Sequence, residues 1–357
     1  MQLPAALSWL VDAASTLSAP DRLLAELGSR LVADGIPLSG GALTLAVPDP
    51  IIARRTWLWR AETGQVMEAL GFAGPMAPSG DAGRRWLASL AAGAVQEDAA
   101  GSGADAPRLG WIGPRPFTEA EAEQLRQAAR FATAPLAALT ARATMTAALE
   151  AYLGRRSAAR VMAAPLRRDV GETIRAALLY ADLRGFTALS EAHAASEVIA
   201  ALDAWFDRIA LSVQAFGGEV LKFIGDGVLA IFPVSGDSPR GACEAALRAV
   251  TAAQAGMAHL DATRKAQGLA PMPFGVAVHL GEIYWGNIGA ADRLDFTAIG
   301  PAVNLVSRLE GLCRPLERTV LISGAVAAET ETPLVSLGSH ELRGIATPCA
   351  VFTLARD

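Results

Sequence analysis

The chain is poor in the features that staple small extracellular or metal-bound domains. Of 357 residues only three are cysteine, Cys243, Cys313 and Cys349, with no Cys-x-x-Cys spacing among them. That excludes a disulfide framework and a thiolate zinc site, and points to a reducing compartment. Long apolar runs are also missing, and none approaches the ~20 residues needed to span a bilayer. The opening MQLPAALSWLVDAAST has no basic n-region and carries Asp12 inside its apolar stretch, which argues against a signal peptide. There is no long basic block, and the net charge of −5 gives no general attraction for nucleic acid. A cytoplasmic protein without a membrane span is expected.

What the chain does have is length and apolar content enough for two cores. In the first part the spacing predicts a helix over about 22–34 and short apolar stretches over 41–47 and 56–60, in the second of which Thr-Trp-Leu-Trp-Arg alternates as a half-buried strand does. The small and polar stretch from Gln96 to Pro107 reads as an exposed loop. Five of the seven tryptophans precede Phe117. Core packing explains them, and a ligand pocket in a sensory domain is the sharper alternative. Thr118 and Glu121 have capping-box spacing and open a helix with apolar residues near a 3.6 period, which Pro135 should kink or interrupt. The basic stretch from Tyr152 to Glu172, broken by Gly154 and Pro165, reads as a connector.

From Ile174 the pattern becomes regular. A strand over 175–181 precedes a long helix over about 187–216. A hairpin with arms 219–223 and 228–232 turns at Gly225-Asp226-Gly227. An alanine-rich helix over about 239–265 is followed by strands at 273–280 and 283–288, a short strand before Gly300, and a helix over about 302–312. A strand near 319–322 and a closing pair of strands end the chain. The expected fold is α+β, with a ferredoxin-like βαββαβ core with additions preceded by a smaller α/β sensory-type domain. The expected division is 1–117 for the sensory domain, 118–172 for a helical linker and connector, and 173–357 for the second domain.

Two aspartates carry the chemistry. Asp182, in LLYADLRGFTALSE, and Asp226, in EVLKFIGDGVLAIFP, each close an apolar run before a turn. Either alone reads as a turn or cap residue. Together, on adjacent strands ~4.8 Å apart, they could share a metal pair. Magnesium favours oxygen ligands and commonly combines one or two carboxylates with substrate phosphates. Lys222 lies inside the apolar strand before Asp226 and must emerge or find a partner. It could donate to a base ring nitrogen, or it could be an edge lysine that discourages strand pairing. Asn304 and Arg308 are four apart on one helix face, suited to a ribose and to charge on a phosphoryl group, or to an ordinary solvated stripe.

With those residues in place, LLYADLRGFTALSE, GGEVLKFIGDGVLAIF, GVAVHLGEIYWGNIGAADR and DFTAIGPAVNLVSRLE resemble, in order and spacing, the class III adenylate/guanylate cyclase catalytic domain over about 174–354. The resemblance implies an adenylate cyclase that makes 3′,5′-cyclic AMP and pyrophosphate from ATP with two Mg²⁺ or Mn²⁺ ions per site. It implies a homodimer whose interface sites take metal ligands from one subunit and base- and transition-state-binding groups from the other. Asp182 and Asp226 match the metal aspartates, with Leu183 joining the metal set. Lys222 matches the adenine-selecting lysine, Asn304 the ribose-orienting asparagine and Arg308 the transition-state arginine. Arg343, in ELRGIATP, stands loosely where the family places a basic residue on the triphosphate.

Thr297 departs from the commonest pattern, because many adenylate cyclases have a second base-selecting aspartate there. A hydroxyl can still accept from the adenine amino group. The chain resembles the threonine-bearing class IIIb branch, whose members often respond to bicarbonate or carbon dioxide. Lys222 argues against a guanylate cyclase, whose pocket needs an acceptor for the guanine N1–H. A catalytically silent nucleotide-binding module is the alternative of a different class, although the aspartate pair and the Asn/Arg pair are all present. The first part is compatible with a GAF-like sensory domain. It has no cysteine for a bilin or haem thiolate, and its GSGADAP stretch lacks the lysine of a phosphate loop.

Overall fold

The computed structural model describes residues 3–47, 52–72 and 82–355. The chain divides into two compact units, Met1–Ala148 and Leu149–Asp357. No helix among the described residues is long and apolar enough to cross a membrane.

The first unit is an α/β domain. It opens with helices α1 (Ala5–Asp12) and α2 (Pro20–Ala33) and strands β1 (Gly40–Ala46), β2 (Ile52–Arg60) and β3 (Val66–Phe72). Helix α3 (Ala82–Leu90), strands β4 (Gln96–Ala99) and β5 (Arg108–Ile112) and helix α4 (Glu119–Leu153), whose last turn runs past the end of this unit at Ala148, follow. The five strands form one antiparallel sheet in the order β3-β2-β1-β5-β4. Leu23, Leu27 and Leu31 place one stripe of α2 in the core, a helical repeat of four. Gly28 lies in the same stripe because a Cβ there would stand 2.5 Å from the Trp59 ring. Trp57, Trp59 and Trp111 are buried in this core, and Trp59 and Trp111 meet edge to face at 6.3 Å. Core packing accounts for these three.

Two local expectations differ from the structure here. The first four residues of the expected loop, Gln96–Ala99, are strand β4, with only the remainder looped. Burial did not mark this edge strand in the sequence. It is held by its ladder and by Glu97, which accepts from Arg84 (3.1 Å) and Arg108 (2.5 Å). Helix α4 is not interrupted at Pro135, so of the two expected outcomes, a kink or an interruption, the second does not occur. Proline in a helix interior costs about 3 kcal/mol, but Ala128, Ala129, Ala132, Leu136 and Leu139 around it are buried in the core and hold the segment down. The capping box forms: the Thr118 N–H donates to Glu121 Oε2 at 2.7 Å, and the Glu121 N–H donates to Thr118 Oγ1 at 3.3 Å.

The second unit begins with helix α5 (Arg155–Ala163) inside the expected connector, then β6 (Gly171–Leu183), α6 (Phe186–Ala192) and α7 (Ala195–Ala215). The single long helix expected over 187–216 is thus two, parted at His193 and Ala194, both extended in backbone. Next come β7 (Glu219–Ile224), β8 (Gly227–Pro233), α8 (Arg240–Ala266), β9 (Phe274–Gly289), β10 (Leu294–Ile299) and α9 (Pro301–Glu310). Strand β11 (Val320–Ser323), helix α10 (Gly324–Ala327) and strands β12 (Leu334–His340) and β13 (Cys349–Leu354) close the unit.

Its sheet runs β12-β13-β11-β9-β6-β8-β7, with β10 paired to β9 outside that path. The segment β9-β6-β8-β7 is wholly antiparallel and gives the ferredoxin-like core, while β11 joins β9 in parallel. Both faces are covered. Ala177, Leu179, Ala181 and Leu183 of β6 face the cluster built with α7 and α8. Ala176 and Leu178 face the cluster that holds α9, and Tyr180 packs against it. Strand periodicity therefore puts Asp182 on the α9 side, at the end where β6 leaves the sheet.

Candidate active site

Strand β6 and the β7–β8 turn bring Asp182 and Asp226 together. Their carboxyl groups face one another within hydrogen-bonding contact. The turn is tight because the ladder runs down to Ile224 opposite Gly227, leaving Gly225 and Asp226 to reverse the chain. Gly225 takes a φ of 63°, the left-handed conformation such a turn demands. Trp205, fully buried on α7, donates its indole N–H to the Asp226 carbonyl at 2.8 Å and fixes the turn from below.

This carboxylate pair is under electrostatic load. Burial, then the charge and hydrogen bond of Asp226, then the charge of Glu310 push Asp182 up to about 7. A hydrogen bond from the Leu183 backbone works against that rise. Tyr180, one residue before Ala181 on β6, is pushed up to about 12 by burial and by Asp182, Glu310 and Asp226. Asp182 Oδ1 is buried with no hydrogen-bond partner. Two facing carboxylates with an orphaned oxygen fit a divalent cation, which would relieve both the repulsion and the missing partner. Among the described residues no third His, Cys, Asp or Glu completes a protein cage. The Leu183 side chain belongs to the core, so only its backbone carbonyl is available to an ion.

Helix α9 faces two ways. Ala302, Val306 and Leu309 are buried against the sheet, while Asn304 and Arg308 are exposed. Glu310 lies against the strand that partners Asp182: a Cβ on Gly275 would collide with its Oε1, and Gly275 pairs with Asp182 in register. Two residues are about 200° of helix turn, so Arg308 leaves the helix on the side away from Glu310. Neither Asn304 nor Arg308 has a side-chain ion pair or hydrogen bond among the described residues, and neither joins Asp182 and Asp226.

Lys222 is placed by an irregularity. Strand β7 carries a bulge between Val220 and Lys222, so Lys222 pairs with Leu229 and Leu221 is left unopposed. Bulges re-aim side chains in this way. The Lys222 ammonium makes an ion pair with Asp295 of β10. Thr297 lies two residues further along β10, largely buried, without a hydrogen bond to Lys222. Arg343 is exposed in the loop between β12 and β13, at the opposite edge of the sheet from β7, and is not brought to the carboxylates. Glu310, Tyr180, Trp205 and Asp295 were not anticipated from the sequence. The signals present were Glu310 and Asp295 standing two residues from Arg308 and Thr297, and Tyr180 two before Asp182.

Comparison with known proteins bears on this arrangement. The family profile for the Adenylate and Guanylate cyclase catalytic domain matches residues 170–353, more than half of the chain. The chain belongs to the class III adenylate/guanylate cyclase family. Over 176 residues the chain is 32% identical to adenylate cyclase 1 of Rhizobium meliloti (strain 1021), covering 49% of this chain and 26% of that protein. It is 31% identical over 165 residues to the adenylate cyclase of Anabaena cylindrica, covering 45% and 32%. The chain thus spans about a quarter to a third of the length of these relatives. Among solved structures, the adenylyl cyclase CyaB from P. aeruginosa is 27% identical, with a TM-score of 0.45 and coverage of 51% of this chain and 94% of that one. A bacterial light-regulated adenylyl cyclase overlays 69% of each chain at a TM-score of 0.53 and 22% identity, a likeness of fold.

Proposed function

We propose that the protein is an adenylate cyclase, converting ATP to 3′,5′-cyclic AMP and pyrophosphate. The observation that carries this reading is the facing pair Asp182 and Asp226 with its orphaned, buried oxygen. The adenine preference rests on the lysine at 222 and on the adenylate cyclases among the relatives.

Asp182, Asp226 and the Leu183 carbonyl would hold two divalent ions, Mg²⁺ or Mn²⁺. When bound, such ions supply Lewis-acid charge to the phosphates and favour loss of the ribose 3′-hydroxyl proton. The remaining work belongs to the chain. Lys222 donates to the adenine ring nitrogen, and Thr297 accepts from its amino group. Asn304 orients the ribose so that the 3′-oxygen lies in line with the α-phosphorus. Arg308 stabilises the charge that develops as pyrophosphate leaves, and Arg343 binds the triphosphate. Nothing covalent is asked of the protein, so positioning and charge carry the rate.

The outward face of Asn304 and Arg308 supports a homodimer in which they serve the partner's aspartates. The first unit is read as a GAF-like sensory module, and residues 118–172 as the linker that joins it to the catalytic part. The threonine at 297 supports a class IIIb assignment, with bicarbonate or carbon dioxide as a candidate effector.

The test is purified protein with ATP or GTP and Mg²⁺ or Mn²⁺, products separated by chromatography. Cyclic AMP from ATP is expected, abolished by Asp226→Ala and strongly reduced by Lys222→Glu. Mn²⁺ should raise the Tm of the wild type and leave that of Asp226→Ala unmoved. A folded dimer giving no cyclic product with either metal would overturn the reading.

A further inference from the structure

The ion pair between Lys222 and Asp295 joins residues 73 apart in sequence and bridges strands that are not ladder neighbours. β7 is the outer strand of β9-β6-β8-β7, whereas β10 hydrogen-bonds only to the far half of β9. The two meet because the β9–β10 arm folds over the α9 side of the sheet. There Trp285, Phe296 and Ala298 share one apolar cluster with Leu221, Leu229 and Ile231. The bulge at Leu221 turns Lys222 toward the same side. Both charged side chains stay accessible, 39% exposed for Lys222 and 48% for Asp295, while Thr297 is only 9% exposed. Asp295 and Thr297, two apart on one strand, share a face of β10.

From this geometry we propose that Asp295 is a positioning residue for nucleotide selection. Its carboxylate holds the Lys222 ammonium aimed at the base, so discrimination rests on the Lys222–Asp295 pair more than on Thr297. The inference depends on the adenylate cyclase reading and deepens it. A free lysine is a flexible four-carbon stem whose rotamers must be frozen each time a base is bound. A partner that freezes it beforehand lowers that cost for the base that Lys222 fits, and leaves the reacting phosphate untouched. The expected signature is therefore in KM and in base preference, with kcat spared.

The experiment compares wild type, Asp295→Asn, Asp295→Glu and Thr297→Ala as full chains, with ATP and GTP, alongside their Tm values. Asp295→Asn should raise KM for ATP about tenfold and cut the ATP-over-GTP preference by a similar factor, with kcat within about threefold. Asp295→Glu should recover most of both, and Thr297→Ala should change them less. Equal KM and equal base preference in wild type and Asp295→Asn overturn the proposal while leaving adenylate cyclase activity standing. A fall in kcat and Tm with unchanged preference, not rescued by glutamate, also overturns it and marks the pair as a strut. A wild type that makes no cyclic AMP from ATP sinks the parent reading, and this one with it.

Discussion

At the scale of single residues, His279 shows how a buried polar group in the second unit is satisfied by one hydroxyl. His279 lies in β9 with little exposure, its Nδ1 2.9 Å from the Ser323 hydroxyl. Burial lowers its pKa from 6.5 to about 4. The folded chain therefore holds this ring neutral at pH values where the unfolded chain protonates it. Stability from this group is full above about pH 6.5 and is lost as pH falls toward 4, by up to about 3 kcal/mol. Asp182 titrates over part of the same range with the opposite sign, since its folded pKa is raised. Wild type must therefore be compared with His279→Gln, which keeps a hydrogen-bonding group for Ser323. Urea denaturation between pH 7.5 and pH 4.5 should show the stability difference shifting in favour of the variant as pH falls. A difference that stays constant across the range would contradict a neutral buried ring.

At the scale of elements, the most consequential join is between α5 and β7. Glu219, buried at the start of β7, accepts from the Arg156 N–H (3.0 Å), the Ser157 N–H (3.0 Å) and the Ser157 hydroxyl (2.5 Å). It satisfies the free N–H groups that open α5, a capping role normally filled from within the helix. Gly154 precedes it with a φ of 82°, and a Cβ there would lie 3.1 Å from the Glu219 carboxylate. Three residues after Glu219 comes Lys222, and four later the turn with Asp226. Glu219→Ala strands the buried Ser157 N–H and hydroxyl and the part-buried Arg156 N–H, and should cost about 2–3 kcal/mol. Hydrogen exchange should show α5 amides losing protection ahead of β6, and equal loss in both would argue against a local cap. None of this was legible in the sequence, where Tyr152 to Glu172 reads only as a broken basic stretch. Capping by a residue 62 positions away leaves no local signature. The site aspartates were legible only as a pair, each closing an apolar run before a turn, since either alone reads as a turn or cap residue. The bulge at Leu221 was not, since Leu-Lys-Phe-Ile fits a regular strand equally well. The division of the 187–216 helix was missed for a related reason: His193 and Ala194 are not helix breakers, and only the backbone records the break.

At the scale of the whole molecule, one helix serves two directions. The α9 helix turns Glu310 toward the carboxylates of its own chain and Arg308 away from them, about 200° round the axis. On the proposed reading the two halves of the site point apart within one chain, and a second copy would supply the missing half. In a two-fold dimer each site would take Asp182 and Asp226 from one subunit and Asn304 and Arg308 from the other. This has a consequence that no monomeric arrangement shares. Asp226→Ala and Arg308→Ala should each be inactive alone, because every site in either homodimer lacks one half. Mixed and allowed to exchange subunits, they form heterodimers in which both defects fall in one site and the other site is intact. With equal amounts and free exchange, activity should return to about a quarter of wild type, half the dimers having one working site in two. Cyclic AMP formation by the two variants, separate and mixed, measures it. Silence of the mixture in a preparation shown by mass to contain heterodimers would mean that Arg308 and Asp226 serve the same subunit, and that α9 must rotate to bring them together.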